Sequence, residues 1–168
     1  MRKCFILFLM VISIGGTLFS CGNDDDGGPQ KTATELAIEK LAGEGTGRTW
    51  TVSNGGSVSR DGTSQTATFS NFEITFRSSS SAGRTYSTTG STGLFDPSGT
   101  WSIEGENNDK LRLVGIQAAA NIPINFSPNT PSTSSLNDLR LDFTISAPVN
   151  GRVSGLVGYY VFDLKLKN

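Results

Sequence analysis

Glu104 and Glu106 lie two positions apart around Gly105, at what reads as a strand end. Two carboxylates so placed can share acid–base work or grip the hydroxyls of a sugar. The commoner form of such a pair is the solvated rim of a hairpin. Glu106-Asn107-Asn108-Asp109 is rich in oxygen and suits either a weak calcium loop or, more simply, a turn. Asp138 and Asp142 are four apart beside Arg140, so in a strand they share a face and fit ion pairs across strands. The aromatic residues offer a different chemistry. Trp50, Tyr86, Trp101 and Tyr159 are the candidate ligand-binding residues, able to stack on a sugar or line an apolar cavity. Trp50, Trp101 and Tyr160 fall in phase with the apolar positions around them, which fits a core better than a binding surface; Tyr86 and Tyr159 are freer.

What is missing narrows the chemistry further. The 168 residues include no histidine, which removes the Ser-His-Asp triad, the imidazole base and every histidine metal ligand. The two cysteines, Cys4 and Cys21, both stand near the N-terminus, so the rest of the chain has no thiol nucleophile, disulfide or thiolate metal site. No catalytic residue, metal or cofactor is expected, and the chain reads as no enzyme. A formal charge of −1 gives no basic field for nucleic acid.

The N-terminus carries an address. Arg2 and Lys3 precede an apolar run from Phe5 to Ile14, too short for a bilayer core that needs ~20 helical residues. The run leads into Leu18-Phe19-Ser20-Cys21. This resembles the lipobox of bacterial lipoproteins, with Leu at the third position before the cysteine and a small residue just before it; Phe19 departs from the commonest pattern. The resemblance implies a signal peptide over residues 1–20, cleavage before Cys21 and acylation of that cysteine with palmitate-type chains. Each buried methylene contributes ~0.8 kcal/mol, so several chains together hold a protein on a membrane. Residues 21–31 form an acidic, glycine-rich tether. Its Asp24, Asp25 and Asp26 resemble the surface-export signal of lipoproteins from the Bacteroidetes group, which implies an outer-membrane, cell-surface location. Without Arg2 and Lys3 the net charge falls to −3, so the acylated Cys21 rather than surface charge would provide the contact with lipid.

These residues need a scaffold, and residues 32–168 read as one domain that supplies it. Thr32-Ala33-Thr34-Glu35 fits a capping box, and Leu36, Ala37 and Leu41 follow at helical spacing up to Gly43, which predicts a helix of about ten residues. Beyond Gly47 the period becomes two. Trp50/Val52, Phe72/Ile74/Phe76, Trp101/Ile103, Leu111/Leu113, Ile122/Ile124/Phe126, Leu139 to Ile145 and Tyr160 to Leu166 alternate with polar residues, the signature of strands with one buried face. Asn54-Gly55-Gly56, Asp61-Gly62, the 106–109 stretch and Asn150-Gly151 supply turns. Pro123 cannot donate to a ladder, which predicts an edge or bulged strand. Residues 78–93 read as a loop, a short strand over Thr85–Thr88 and a second loop, and residues 127–135 as a long polar loop. The sum is all-β, with about eight antiparallel strands in a closed or nearly closed barrel behind a short N-terminal helix. A two-sheet sandwich is the alternative. The long last strand needs a partner, and pairing with the Trp50 strand would close the sheet.

Several stretches strengthen the barrel. Leu41-Ala42-Gly43 with Trp50, Phe69-Ser70-Asn71-Phe72, the Tyr86 strand, Phe95-Asp96-Pro97-Ser98-Gly99-Thr100-Trp101 and Gly158-Tyr159-Tyr160-Val161-Phe162-Asp163-Leu164 are similar to the lipocalin-like (calycin-type) lipoproteins of Bacteroidetes. Gly43 and Trp50 stand further apart than the Gly-x-Trp of that group. The resemblance covers about residues 36–166, and its motifs concern packing and turns. It implies the barrel architecture and says little about a ligand. An eight-stranded barrel has room for side chains or for one small ligand, and the reading chosen is a lipoprotein that binds a small apolar or amphipathic ligand in it. The alternative is a non-catalytic surface module that serves protein interaction or glycan uptake.

Overall fold

The computed structural model describes residues 30–45, 47–81, 83–114, 123–126, 136–146 and 154–168. The signal segment 1–20, Cys21, Asp24 to Asp26, the 127–135 loop and the Asn150-Gly151 turn lie outside these residues. The chain divides after Gln30, and the unit that follows is Lys31–Asn168.

Thr32 begins α1 (Ala33–Ala42) as the sequence predicts. The Glu35 amide donates to the Thr32 hydroxyl at 3.2 Å, and the Thr32 amide donates to the Glu35 carboxylate at 2.7 Å. Two amides that the helix cannot satisfy itself are thereby paired reciprocally. Ala37, Leu41 and Ala42 are buried, so the helix presents one apolar stripe to the sheet. It packs on β1 (Arg48–Thr51), β4 (Glu73–Ser79) and β6 (Ser98–Glu104). Among the described residues no helix is long and apolar enough to cross a membrane.

The strands are β1 (Arg48–Thr51), β2 (Ser57–Arg60), β3 (Thr63–Ser64), β4 (Glu73–Ser79), β5 (Gly83–Thr89), β6 (Ser98–Glu104), β7 (Lys110–Val114), β8 (Pro123–Phe126), β9 (Asp138–Ile145) and β10 (Gly158–Leu166). They form one antiparallel sheet in the order β1-β4-β5-β6-β7-β8-β9-β10-β2-β3. A further pairing, Trp50 with Leu166 and Thr51 with Lys165, joins β1 to β10. That closure makes a barrel of eight strands, β1 with β4 to β10, and rules against the sandwich.

One edge of β10 serves two strands in succession. Its last two residues, Lys165 and Leu166, pair with β1, and the stretch before them pairs with β2 from Asp163–Ser57 to Tyr160–Arg60. The turn at Asn54-Gly55-Gly56 therefore does not reverse the chain. It is an excursion between two segments that run the same way along β10. Gly56 makes this possible: a Cβ there would lie 2.6 Å from the Asp163 carbonyl oxygen and 3.0 Å from that of Thr51.

Two other expectations change. Pro123 does not mark an edge strand, because β8 pairs with β7 on one side and, through Asn125 and Phe126, with β9 on the other; Pro123 itself pairs with Arg112 of β7. It opens the strand, the interior-sheet position where a missing N–H is tolerated. Residues 78–93 are not mainly loop either, since β4 runs to Ser79 and β5 spans seven residues.

The core has two halves. Where β10 begins, Phe69, Phe72, Phe95, Phe143, Tyr160 and Phe162 form a cluster with ring centroids 5.0 to 6.4 Å apart. Phe69 and Phe95 come from connections rather than strands, so the segments between elements help fill this end. Where β10 ends, Trp50 meets α1 through the Leu41 carbonyl, and the Phe76 and Trp101 rings, 5.6 Å apart, come from β4 and β6, on which α1 also packs.

Candidate functional site

The candidate residues separate into packed and open groups. Trp50 is fully buried, and its indole N–H donates to the Leu41 carbonyl at 2.9 Å. Trp101 is also buried and donates to the carbonyls of Thr85 at 3.0 Å and Arg77 at 3.1 Å. The Arg84 guanidinium lies 5.6 Å from the Trp101 ring centre. Tyr159 is 43% exposed, on the face of β10 opposite Tyr160. Nothing brings these four residues to one surface: three belong to the interior and Tyr159 to the outside.

Two of the four candidate carboxylates, Glu104 and Asp138, form ion pairs. Glu104 meets Arg112 across β6 and β7 at 2.7 Å, and this hydrogen bond holds its carboxyl below the usual range. An acid fixed in its ionised form beside a guanidinium is poorly suited to deliver a proton. Glu106 is exposed in the hairpin loop, where Asn108 takes a positive φ of 54°. On the outer face of the barrel Asp138 pairs with Lys165 at 2.7 Å and Arg140 with Asp163 at 3.2 Å. Asp142 accepts from the Asn125 amide at 2.7 Å. These are the cross-strand pairs that the spacing predicts, and exposed pairs of this kind contribute little to stability.

Tyr86 departs from the sequence expectation. Rather than standing free, it is 2% exposed and points into the barrel from β5, between Phe76 on β4 and Gly99 on β6. Two further polar residues are buried near it in the chain, Thr88 and Asp96. Thr88 fixes the connection between β5 and β6. Its hydroxyl donates to the Asp96 carbonyl at 2.7 Å, and its amide donates to the Pro97 carbonyl at 2.9 Å. Gly99 lets the Tyr86 ring lie against backbone. A Cβ at Gly99 would stand 2.8 Å from Tyr86 Cε1, 3.0 Å from its hydroxyl oxygen and 2.2 Å from the Val114 carbonyl oxygen.

Burial, and then the Asp96 charge, push the Tyr86 hydroxyl from 10.0 up to about 12. Between those values the unfolded chain surrenders this proton and the folded chain keeps it. Stability contributed by the neutral phenol is therefore present below pH 10 and lost as pH rises towards 12. Tyr86→Phe should remove this part of the alkaline decline, read as a shallower fall of urea-unfolding free energy across that window than in wild type. Equal slopes in the two proteins would mean that ionisation of Tyr86 carries no penalty.

Two recesses lie outside the barrel. One, of about 210 Å³, is lined by Lys31, Glu35, Ile38, Glu39, Gly43 and Glu44. The Lys31 ammonium bonds to Glu39 at 2.7 Å and also to Glu44, so a cation of the chain itself sits among these carboxylates. The other recess is the charged groove between β9 and β10, beside the Asp138–Lys165 and Arg140–Asp163 pairs. Among the described residues no group of three or more acidic, cysteine or histidine side chains gathers as a metal site.

Asp96, Thr88 and Gly99 are absent from the candidates drawn from sequence. The signal for Asp96 is faint, a carboxylate between Phe95 and Pro97 in a stretch that otherwise reads as packing and turn.

No protein-family model, curated protein or solved structure matches this chain.

Proposed function

We propose that the chain is a lipid-anchored lipoprotein, displayed on the outer-membrane surface, whose barrel binds a small amphipathic ligand without transforming it. One observation carries the binding reading. Tyr86 and Thr88 are buried on the inward side of β5, and Asp96, in the connection that follows, is buried as well and accepts the Thr88 hydroxyl at its backbone carbonyl. Binding sites are characteristically apolar hollows with a few convergent polar groups. The ligand must be small, because eight strands leave room for side chains or for one small molecule, and six rings already occupy one half. Anchoring rests on the lipobox-like Leu18-Phe19-Ser20-Cys21, and surface display on Asp24, Asp25 and Asp26 behind it. No catalytic role is assigned to any residue.

A second reading, a non-catalytic surface interaction or glycan-uptake accessory module, draws on the close contact of those rings and on the exposure of Tyr159. In that case the barrel is a solid scaffold and its outside does the work.

The anchor is tested with Cys21→Ala. Wild type should partition with membranes and take up labelled palmitate, whereas the variant should appear in the soluble fraction unlabelled. A variant that stays membrane-bound with unchanged labelling overturns the anchor. Native mass spectrometry of wild-type protein released gently from membranes reads the ligand. A bound mass lost on denaturation supports the carrier, and a bare protein in every preparation favours the second reading.

A further inference from the structure

The seam that closes the barrel runs into a turn with chemistry of its own. β1 stops at Thr51, and the chain passes through Ser53, Asn54 and Gly55 before Gly56 sets it beside β10. Asn54 is exposed, and its side-chain amide donates to the Leu166 carbonyl at 3.3 Å, near the long limit of a hydrogen bond. Leu166 is the residue that pairs with Trp50 across the seam. The turn has little slack. Gly56 lies against the Asp163 and Thr51 carbonyls, and its amide donates to the Val52 carbonyl at 2.9 Å.

Among the described asparagines, Asn54 alone is followed by glycine. Gly55 has no side chain to hinder its nitrogen and stands in open space with a φ of 88°. Its amide donates no hydrogen bond among the described residues. A free nucleophile therefore stands beside an unshielded carboxamide carbon. Once the Gly55 amide loses its proton to solvent, its nitrogen bonds to Asn54 Cγ. The Cγ–Nδ2 bond breaks, and ammonia leaves with that electron pair and a proton from solvent. Water then adds to either carbonyl of the succinimide and reopens it as aspartate or isoaspartate, so asparagine and water become acid and ammonia. Asp61-Gly62 is held differently. The Asp61 carboxylate accepts the Tyr159 amide at 2.8 Å, and a carboxylate is a poorer electrophile than a carboxamide.

Either product replaces the donor that faces the Leu166 carbonyl with a carboxylate, which sets acceptor against acceptor. Isoaspartate also lengthens the backbone by a methylene in a turn that Gly56 holds tightly. We propose that Asn54 is a site of spontaneous deamidation, with water as the co-reactant, and that its conversion loosens the seam between β1 and β10.

The full chain is incubated at mildly alkaline pH until half of a synthetic peptide of residues 51–58 has converted, then digested and mapped by mass spectrometry. Asn54 should be a mixture of aspartate and isoaspartate, while Asn71, Asn107 and Asn125 keep their amides. Asn150-Gly151 lies outside the described residues, and the map reads it separately. Asn54→Gln, which would have to close a larger ring, should keep its mass. Asn54→Asp reproduces one product without incubation. In that variant the Lys167 amide, which donates to the Thr49 carbonyl across the seam at 2.8 Å, is the one to follow by hydrogen exchange. It should exchange about fivefold faster than in wild type, the worth of one ordinary hydrogen bond, while the amides of β9 keep their rates. The site is overturned if Asn54 keeps its amide while the peptide converts, because the fold then shields it. The loosening is overturned if Lys167 in Asn54→Asp exchanges at the wild-type rate.

Discussion

Phe162→Ala should destabilise the domain by about 3–5 kcal/mol, among the largest losses available to a single substitution here. Phe162 is fully buried on β10, at the meeting point of the aromatic half of the core. Its ring centre lies 5.0 Å from Phe72, 5.2 Å from Phe69, 5.6 Å from Phe95, 6.0 Å from Phe143 and 6.4 Å from Tyr160. Four of these rings come from elements other than β10, so none can follow the lost side chain without disturbing its own packing. Backbone pairing makes collapse harder still, because the Phe162 segment is hydrogen-bonded to β9 on one side and β2 on the other. A void should remain, and its size adds to the lost transfer energy. Equilibrium urea unfolding measures the effect. Phe162→Leu, which keeps most of the volume, should cost no more than about 1–2 kcal/mol. A loss of about 1 kcal/mol or less for the alanine variant would mean that the rings do not support one another as their positions indicate. The interior would then be open to a larger ligand.

Most of this architecture was legible because it depends on alternation. Ile74 and Phe76, Leu139 to Ile145 and Tyr160 to Leu164 are inward because every second residue of a strand faces the same way, and their sequence says so directly. The capping box at Thr32 and Glu35 is local, and so it was readable too. Closure through β1 and β10 followed from a physical need, since a long terminal strand without a partner exposes its edge. Illegible features share another cause. The β4–β5 hairpin runs through serines, threonines and glycines, and pairing with neighbouring strands rather than apolar alternation makes it a sheet. The place of β8 was hidden because Pro123 forbids a donor, and only the register shows that it stands at the strand's first residue. For the site, Tyr86 was visible as an aromatic without a clear phase. Its relation to Asp96 and Gly99 was not, because the β5–β6 connection brings them together and no spacing in the chain encodes that.

Trp50→Ala is expected to cost a similar ~3–5 kcal/mol, but by a different route that distinguishes the two halves of the core. Trp50 is the plate on which α1 sits. Its indole N–H holds the Leu41 carbonyl at 2.9 Å, its ring faces the Lys40 ammonium at 5.8 Å, and the neighbouring Arg48 donates to the Lys40 carbonyl at 3.2 Å. Lys40 is completely buried at this junction, and burial, with Arg48 nearby, lowers its pKa from 10.5 against the opposing pull of Asp138. In this case the unfolded chain holds the proton longer than the folded one. The contribution of Lys40 therefore makes stability rise with pH in the window below 10.5. Without the indole the helix loses both a hydrogen bond and its supporting surface, and Lys40 should reach water. Two measurements should change together in Trp50→Ala. Amide exchange should accelerate over Leu36 to Gly43 before it does in β9 and β10, and the Lys40 side chain, followed by NMR, should titrate closer to 10.5. Trp50→Phe keeps a ring but leaves the Leu41 carbonyl without its donor, at about 1–3 kcal/mol, and should leave Lys40 buried with its pKa still depressed. If Trp50→Ala lowers stability while helix exchange and the Lys40 titration remain as in wild type, α1 is held by Leu41 and Ala42 alone. The tryptophan would then serve only to fill the barrel beneath it.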